Sequence, residues 1–166
     1  SAYFNLFGPA NYGHSSTAQL TDNDNSLGLV IGTVKLRTNV NVPVLNNTGN
    51  YNVSEGAQLW VDGGYAAKNN GTAIVPYGKI RVTDGTLEAL ISSGITTRDQ
   101  GQIRIDGGTL NANQIRTSVL GVGNNGGYFQ TGGYVNLYGG NSNTDYYVFN
   151  LTYGDNAFTM TGGTLH

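Results

Sequence analysis

Three aspartates recur at a constant spacing and carry the first sign of chemistry in this sequence. Asp62, Asp84 and Asp106 lie 22 residues apart, which could bring their carboxylates together as a metal site or an acid–base pair. Each precedes a glycine, however, and aspartate before glycine is typical of a turn whose backbone N–H groups the carboxylate caps. The calcium-binding nonapeptide GGxGxDxUx is absent. We therefore predict turn chemistry and no metal ion.

An aromatic ring and two guanidinium groups form a second set, here called the Trp60 ladder: Trp60, Arg81 and Arg104. They occupy equivalent positions in successive segments that read QLWV, KIRV and QIRI. Cations are attracted to the face of an indole ring, so the ladder predicts either a cation–π stack or a strip that contacts a glycan or a partner. The alternative is that these exposed strand residues only shield the sheet beneath them.

Residues for hydrolysis are sparse. His14 and His166 lie near the two ends, Glu55 and Glu88 are the only glutamates, and there is neither a cysteine nor a GxSxG motif. A lyase-like site would need clustered acidic and basic side chains on one face. The outward positions that offer such side chains are Lys79, Arg81, Arg104 and Asp106. We predict no enzyme, no catalytic residue and no cofactor, with a polysaccharide lyase or hydrolase as the alternative.

The elements that would hold these side chains are short strands in a drifting repeat. The repeat is anchored on Gly64, Gly85, Gly108, Gly133 and Gly163, at intervals of 21, 23, 25 and 30 residues. The positions five before, three before and two after each anchor are apolar, except for Gln130. Because strand residues alternate between two faces, these three columns predict a core. Glycine suits the corner between strands because it lacks a Cβ and adopts positive φ.

Coils of this kind bury their apolar faces only by stacking on one another. We predict an all-β fold, a parallel β-helix or β-solenoid with coils of 21–30 residues, Gly-Gly corners and two or three short sheets. A further strand in each coil is expected in TAIVPYG, TSVLGVG and YVFNLTYG. A right-handed solenoid is expected, since about 98% of parallel crossovers have that hand. Residues 1–55 are predicted to form an irregular N-terminal cap or first coils, and residues 56–166 one continuous domain of repeats.

Two segments, GVGNNGGYFQTGGYVNLYGG and DNAFTMTGGTLH, resemble the GxYxxTGGTLxV coils of bacterial autotransporter-type and related surface β-solenoid proteins. The resemblance extends over about Tyr51–His166. It implies right-handed parallel β-helices that project from, or decorate, a cell surface. It brings no catalytic residues with it.

Composition limits the partners and the compartment. The net charge of −2 and a charged fraction of 11% leave no basic footprint for nucleic acid, and no apolar run is long enough to span a membrane. The absence of cysteine excludes disulfides and thiolate metal sites. The N-terminus lacks the basic region of a signal peptide, so any such peptide has been removed or was never present. We expect removal, because a chain rich in Asn, Thr and Gly with little charge is typical of extracellular proteins. These features predict a secreted or cell-surface protein, bacterial in origin.

The leading hypothesis is an extracellular structural or adhesive β-solenoid whose partner is itself or another surface or matrix component. In its sharper form, copies assemble head to tail into a filament, because an unpaired strand edge is a template for another chain. The predicted assembly edge is Phe158, Met160 and Leu165, and the predicted donor segment is Tyr3, Phe4, Leu6 and Phe7. The rival hypothesis is a polysaccharide-binding or polysaccharide-cleaving module.

Overall fold

The computed structural model describes residues 2–5, 12–15, 19–23, 26–31, 33–36, 40–41, 45, 48–118, 126–139, 148–152 and 158–166. All regular secondary structure in these ranges is β-strand. Within them, no helix is long and apolar enough to cross a membrane. The predicted all-β fold class is therefore confirmed.

The strands are short because turn residues interrupt them every few positions. In chain order they are β1 (Ala2–Asn5), β2 (Tyr12–Ser15), β3 (Gln19–Asn23), β4 (Ser26–Ile31), β5 (Thr33–Leu36), β6 (Val40–Asn41), β7 (Tyr51–Val53), β8 (Gln58–Ala67), β9 (Ile74–Pro76), β10 (Lys79–Ala89), β11 (Ile95–Arg98), β12 (Gln102–Ile105), β13 (Thr109–Ala112), β14 (Ile115–Ser118), β15 (Gly127–Gln130), β16 (Tyr134–Leu137), β17 (Phe149–Thr152), β18 (Phe158–Met160) and β19 (Thr164–Leu165).

From β4 onward the strands stack in parallel on three faces of a solenoid, whereas β1 pairs with β2, and β3 with β4, in antiparallel fashion. Face 1 contains β5, the first halves of β8 and β10, and then β12, β15 and β18. Face 2 contains β6, the second halves of β8 and β10, and then β13, β16 and β19. Face 3 contains β4, β7, β9, β11, β14 and β17. The predicted parallel β-helix is thus present. Strands β4, β5 and β6 form a layer of this β-helix that precedes residue 56.

The register of the strands reproduces the three predicted core columns. Ile103, for example, pairs with Ile80 in the preceding layer and with Tyr128 in the next. Column members between the ends of the stack are fully or almost fully buried: Leu59, Val61, Ala66, Ile80, Val82, Leu87, Ile103, Ile105, Leu110, Tyr128, Gln130 and Val135. Alternation along each strand therefore sorts the side chains as the sequence pattern predicted.

The glycine corners are confirmed, with one shift. Four of the five anchor glycines have φ between 64° and 83°, the left-handed region that glycine adopts without strain: Gly85, Gly108, Gly133 and Gly163. In the layer of the remaining anchor, the glycine with positive φ is Gly63 and not the predicted Gly64. A bulge at this corner pairs the Cα of Asp84 with that of Asp62, although Asp84 lies one residue before its anchor Gly85 and Asp62 two residues before Gly64.

Face 3 was only partly foreseen. Strands β9 and β17 lie within the predicted segments TAIVPYG and YVFNLTYG. Strand β14 begins at Ile115, before the predicted TSVLGVG, of which residues 119–123 lie outside the described residues. Strands β7 and β11 were not predicted, although the alternation in the segment ITTR is visible once its register with β14 is known.

Candidate functional site

Strands β18 and β19 form the last described layer of the stack. Strands β18 and β19 pair with β15 and β16 on one side, and no described strand pairs with their other side. Thr161 N donates to Gln130 O at 2.9 Å, and Thr164 N and His166 N donate to carbonyls of the layer below at 2.9 Å each. These residues therefore direct their backbone groups toward β15 and β16.

Backbone groups of the alternate residues point the other way. In a parallel strand, successive residues form hydrogen bonds with opposite neighbours. The N–H and C=O groups of Phe158, Met160 and Leu165 therefore face away from the layer below. These three residues are the predicted assembly edge, and the structure brings them together in one layer.

Core-facing side chains of this layer are also exposed. Phe158 is 41% exposed and Leu151 39%, although both continue columns that are buried one layer earlier. The Phe158 ring stacks on Tyr128 with centroids 5.5 Å apart, and Phe149 meets both rings edge-on at 5.2 and 5.7 Å. Such arrangements are favourable for aromatic pairs. This layer thus combines apolar side chains with outward-facing backbone groups that pair with no described strand.

Gln130, the one polar residue in the core columns, connects this layer to the rest of the stack. Its Oε1 accepts a hydrogen bond from Tyr128 Oη at 2.6 Å, and its Nε2 donates to Thr164 O at 3.1 Å and to Gly133 O at 3.3 Å. Burial raises the pKa of Tyr128. Since buried polar groups need partners, Gln130 supplies them at the corner where the last two layers meet.

The predicted donor segment lies partly in β1. Tyr3 pairs with His14 and Phe4 with Gly13 in the antiparallel pair of β1 and β2, whereas Leu6 and Phe7 lie outside the described residues. Strand β1 therefore pairs along one edge within its own chain. Its second edge has no partner among the strands described.

The structure assembles the Trp60 ladder on face 1. Trp60, Arg81 and Arg104 are Cα partners in successive layers, and Arg81 Cζ lies 4.9 Å from the centroid of the indole ring. Lys35, which the sequence analysis missed, is the next partner along, with Nζ at 3.6 Å from the same ring. The sequence could have identified Lys35, because the segment TVKL alternates like QLWV and KIRV and places this lysine at the position of Trp60.

Carboxylates beside the ladder bind its cations. Lys35 Nζ lies 2.6 Å from Asp62 Oδ2, and Arg81 Nε donates to Asp106 Oδ2 at 2.8 Å. Burial alone would raise the pKa of Asp106, but the hydrogen bond from Thr131 and the charges and hydrogen bond of the arginines lower it overall. Exposed pairs of this kind contribute at most about 1 kcal/mol each. The ladder is therefore a cross-layer ion-pair network.

The three aspartates thus differ in what they do. Asp84 Oδ1 accepts a hydrogen bond from Gly85 N at 2.8 Å, which confirms turn chemistry at that position. Asp62 and Asp106 bind side chains of neighbouring layers, contacts that the sequence analysis did not predict. Among the described residues, no three His, Cys, Asp or Glu side chains are grouped so as to hold a metal ion.

A second polar column crosses face 2. Tyr65 Oη donates to Glu88 Oε2 at 2.5 Å, Asn111 Nδ2 to Glu88 Oε1 at 3.2 Å, and Asn136 Nδ2 to Asn111 Oδ1 at 2.9 Å. The hydrogen bond to Glu88 is the main cause that raises the pKa of Tyr65 to about 12. Glu88 therefore serves as a hydrogen-bond acceptor that ties three layers together.

Lys68 is a buried cation that the sequence pattern did not reveal. Its side chain is fully buried and Nζ donates to Leu45 O at 2.9 Å. Burial lowers the pKa of Lys68 from 10.5 to about 8, since desolvation disfavours the charged form.

The free energy of unfolding should therefore rise as the pH increases above about 8, because the unfolded chain then binds more protons than the folded one. The expected gain is about 1–3 kcal/mol by pH 9.5. Above about pH 10 the trend should reverse, since burial raises the pKa of Tyr51 and Tyr128 and favours ionisation in the unfolded chain. Urea unfolding at a series of pH values measures this. Lys68→Met should show no rise between pH 8 and 9.5, and a flat profile for the unaltered chain would contradict the assignment.

Comparisons of the chain with protein-family models, with curated proteins and with solved structures gave no match. The role of this β-solenoid is therefore inferred from its own geometry.

Proposed function

We propose that this chain is a structural or adhesive β-solenoid of the cell exterior, whose copies add end to end through the open edge of the last layer. The observation that carries the proposal is the coincidence of outward-facing backbone groups at Phe158, Met160 and Leu165 with apolar side chains that are exposed at Phe158 and half-buried at Met160 and Leu165. Each alone is a common surface feature. Together these two features resemble the surface that neighbouring layers bury against each other in the interior of the stack.

A second copy of the chain is the occupant to which the proposal commits. The pair of β1 and β2 lies against β5 at the N-terminal side of the stack, and one edge of β1 has no partner among the described strands. Such a contact joins different surfaces of the two copies, so it repeats without closing and produces a filament. The low charge of the chain, −2 over 166 residues, leaves little repulsion to oppose it.

Location outside the cell is supported by composition. A chain rich in glycine, asparagine and threonine with 11% charged residues and no cysteine is typical of surface β-solenoids, and the TGGTL-type coils resemble those of bacterial surface proteins. The adhesive role would follow from a solenoid that displays its sides to other surface or matrix components.

Met160→Pro tests the assembly directly. Proline removes the N–H that faces the open side and places its ring there, which is tolerated at an edge but blocks pairing. We expect the unaltered chain to gain mass with concentration in size-exclusion light scattering and to form filaments in negative stain. The Met160→Pro chain should remain monomeric, with its thermal midpoint changed by only a few degrees, corresponding to less than about 1 kcal/mol.

Met160→Leu is the matched control, because it keeps both the N–H group and an apolar side chain and should assemble like the unaltered chain. An unaltered chain that stays monomeric at high concentration would refute end-to-end assembly. Equal assembly of the proline and leucine variants would show that copies associate through another surface.

A further inference from the structure

A shallow groove lies along the corner where face 3 turns into face 1. It encloses about 440 Å³ and is lined by residues of four successive layers. The side chains that shape it come from the turns before β8, β10 and β12 and from the first residue of each of these strands. They are Glu55, Gln58, Tyr77, Lys79, Gln100 and Gln102.

Hydrogen-bonding groups in the groove are mostly neutral. Gln58, Gln100 and Gln102 contribute primary amides, which both donate and accept hydrogen bonds. Lys79 and Glu55 contribute one charge of each sign, so the lining has no net charge. A lining of this kind disfavours polyanions such as nucleic acid, which require an excess of cations, and suits a ligand rich in hydroxyl groups.

An aromatic ring gives the groove an apolar surface. Tyr77 is 37% exposed and lies among the amides. Binding sites commonly combine an apolar or aromatic surface with a few polar groups that fix orientation. The C–H face of a sugar ring can pack on the tyrosine ring while its hydroxyl groups reach the amides.

Backbone packing between layers fixes the floor of the groove. Gly78 lines it, and a Cβ there would lie 2.2 Å from Ser54 O and 2.3 Å from Ala57 O, so a side chain is excluded. Lys79 N donates to Ala57 O at 2.9 Å and Gln102 N to Gly78 O at 2.8 Å. Consecutive layers repeat at about 4.8 Å, close to the length of one sugar residue in an extended chain.

We propose that this groove binds a neutral polysaccharide strand that runs along the solenoid axis. Tyr77 stacks on one sugar ring, and Gln58, Gln100 and Gln102 hydrogen-bond to hydroxyl groups of successive residues. The site differs from the Trp60 ladder, where Lys35 and Arg81 are bound to carboxylates. Binding in this groove requires no contact between copies of the chain. The proposal can therefore be tested independently of the end-to-end assembly.

Isothermal titration with neutral oligosaccharides of increasing length tests the proposal, using β-1,4-linked glucose and N-acetylglucosamine series and an α-linked glucose series. Four layers span about 15 Å from first to last. Affinity should therefore increase up to about four sugar units and then level off. Tyr77→Ala should weaken binding about tenfold or more, the loss expected for about 1.4 kcal/mol of stacking, while Tyr77→Phe retains most of the affinity.

Tyr134→Ala is the matched control, because Tyr134 is 59% exposed on face 2 and should leave binding unchanged. Arg104→Gln serves the same purpose for the Trp60 ladder. Absence of binding to every series would refute the proposal. It would also be refuted if Tyr134→Ala or Arg104→Gln weakened binding while Tyr77→Ala did not. Repeating the titration with monomeric Met160→Pro protein keeps a failure of assembly distinct from a failure of this site.

Discussion

Gly101→Ala is expected to lower the free energy of unfolding by about 3–5 kcal/mol, or to prevent folding altogether. A Cβ at this position would lie 1.9 Å from Pro76 O and 2.9 Å from Arg98 O. Both neighbours are backbone atoms, so no side chain can rotate away. Gly101 O also accepts a hydrogen bond from Gly127 N at 2.9 Å. Any shift that makes room for the methyl group would therefore be felt in the layers on both sides.

Urea unfolding followed by circular dichroism measures this loss, and Gly56→Ala is the control. Gly56 has φ of 76°, but a Cβ there would meet no atom within 4 Å. Only the strain of a left-handed alanine remains, about 1–2 kcal/mol. If the two substitutions proved equally costly, close packing of the layers would not be the reason for glycine at position 101.

Gln130→Leu is expected to lower the free energy of unfolding by about 2–4 kcal/mol, because it leaves buried polar groups without partners. Leucine is apolar, as the column requires, so a sequence pattern alone would predict a gain. In the folded chain, however, Tyr128 Oη would lose its acceptor and Thr164 O would lose the Nε2 donor. Thermal and urea unfolding should both report the loss.

Tyr128→Phe combined with Gln130→Leu separates polarity from packing. Tyr128→Phe removes the hydroxyl that Gln130→Leu leaves without an acceptor, so the double variant should be more stable than Gln130→Leu alone. A single Gln130→Leu variant as stable as the unaltered chain would contradict the role assigned to these hydrogen bonds.

Most of the fold was predictable because it depends on a period of two along each strand. Ile80, Val82 and Leu87 identify the inward columns, and their equivalents recur in every coil with the register that the structure shows. Face 3 was harder, because strands such as β7 contain three residues, too few for an alternation to stand out. The corner at Gly63 was misplaced by one residue because a bulge changes the register without changing the spacing of the glycines.

The candidate sites were less predictable, because they depend on contacts between layers. Asp106 binds Arg81, 25 residues earlier, and Lys35 lies over Trp60 at a similar separation in sequence. Loops of different length set which residues come into register. A carboxylate beside a glycine therefore has the same local sequence whether it caps a turn, as Asp84 does, or binds an arginine in the next coil.

By itself, the sequence determined that this chain is a stack of glycine-cornered β coils, because alternation and repeat length limit how apolar strands can be buried. Only the tertiary structure decided that the Trp60 ladder has its charges paired and that a neutral groove runs beside Tyr77. It also decided that the backbone groups of Met160 face outward at the end of the stack. These are properties of surfaces formed by several layers at once, and no single coil contains them.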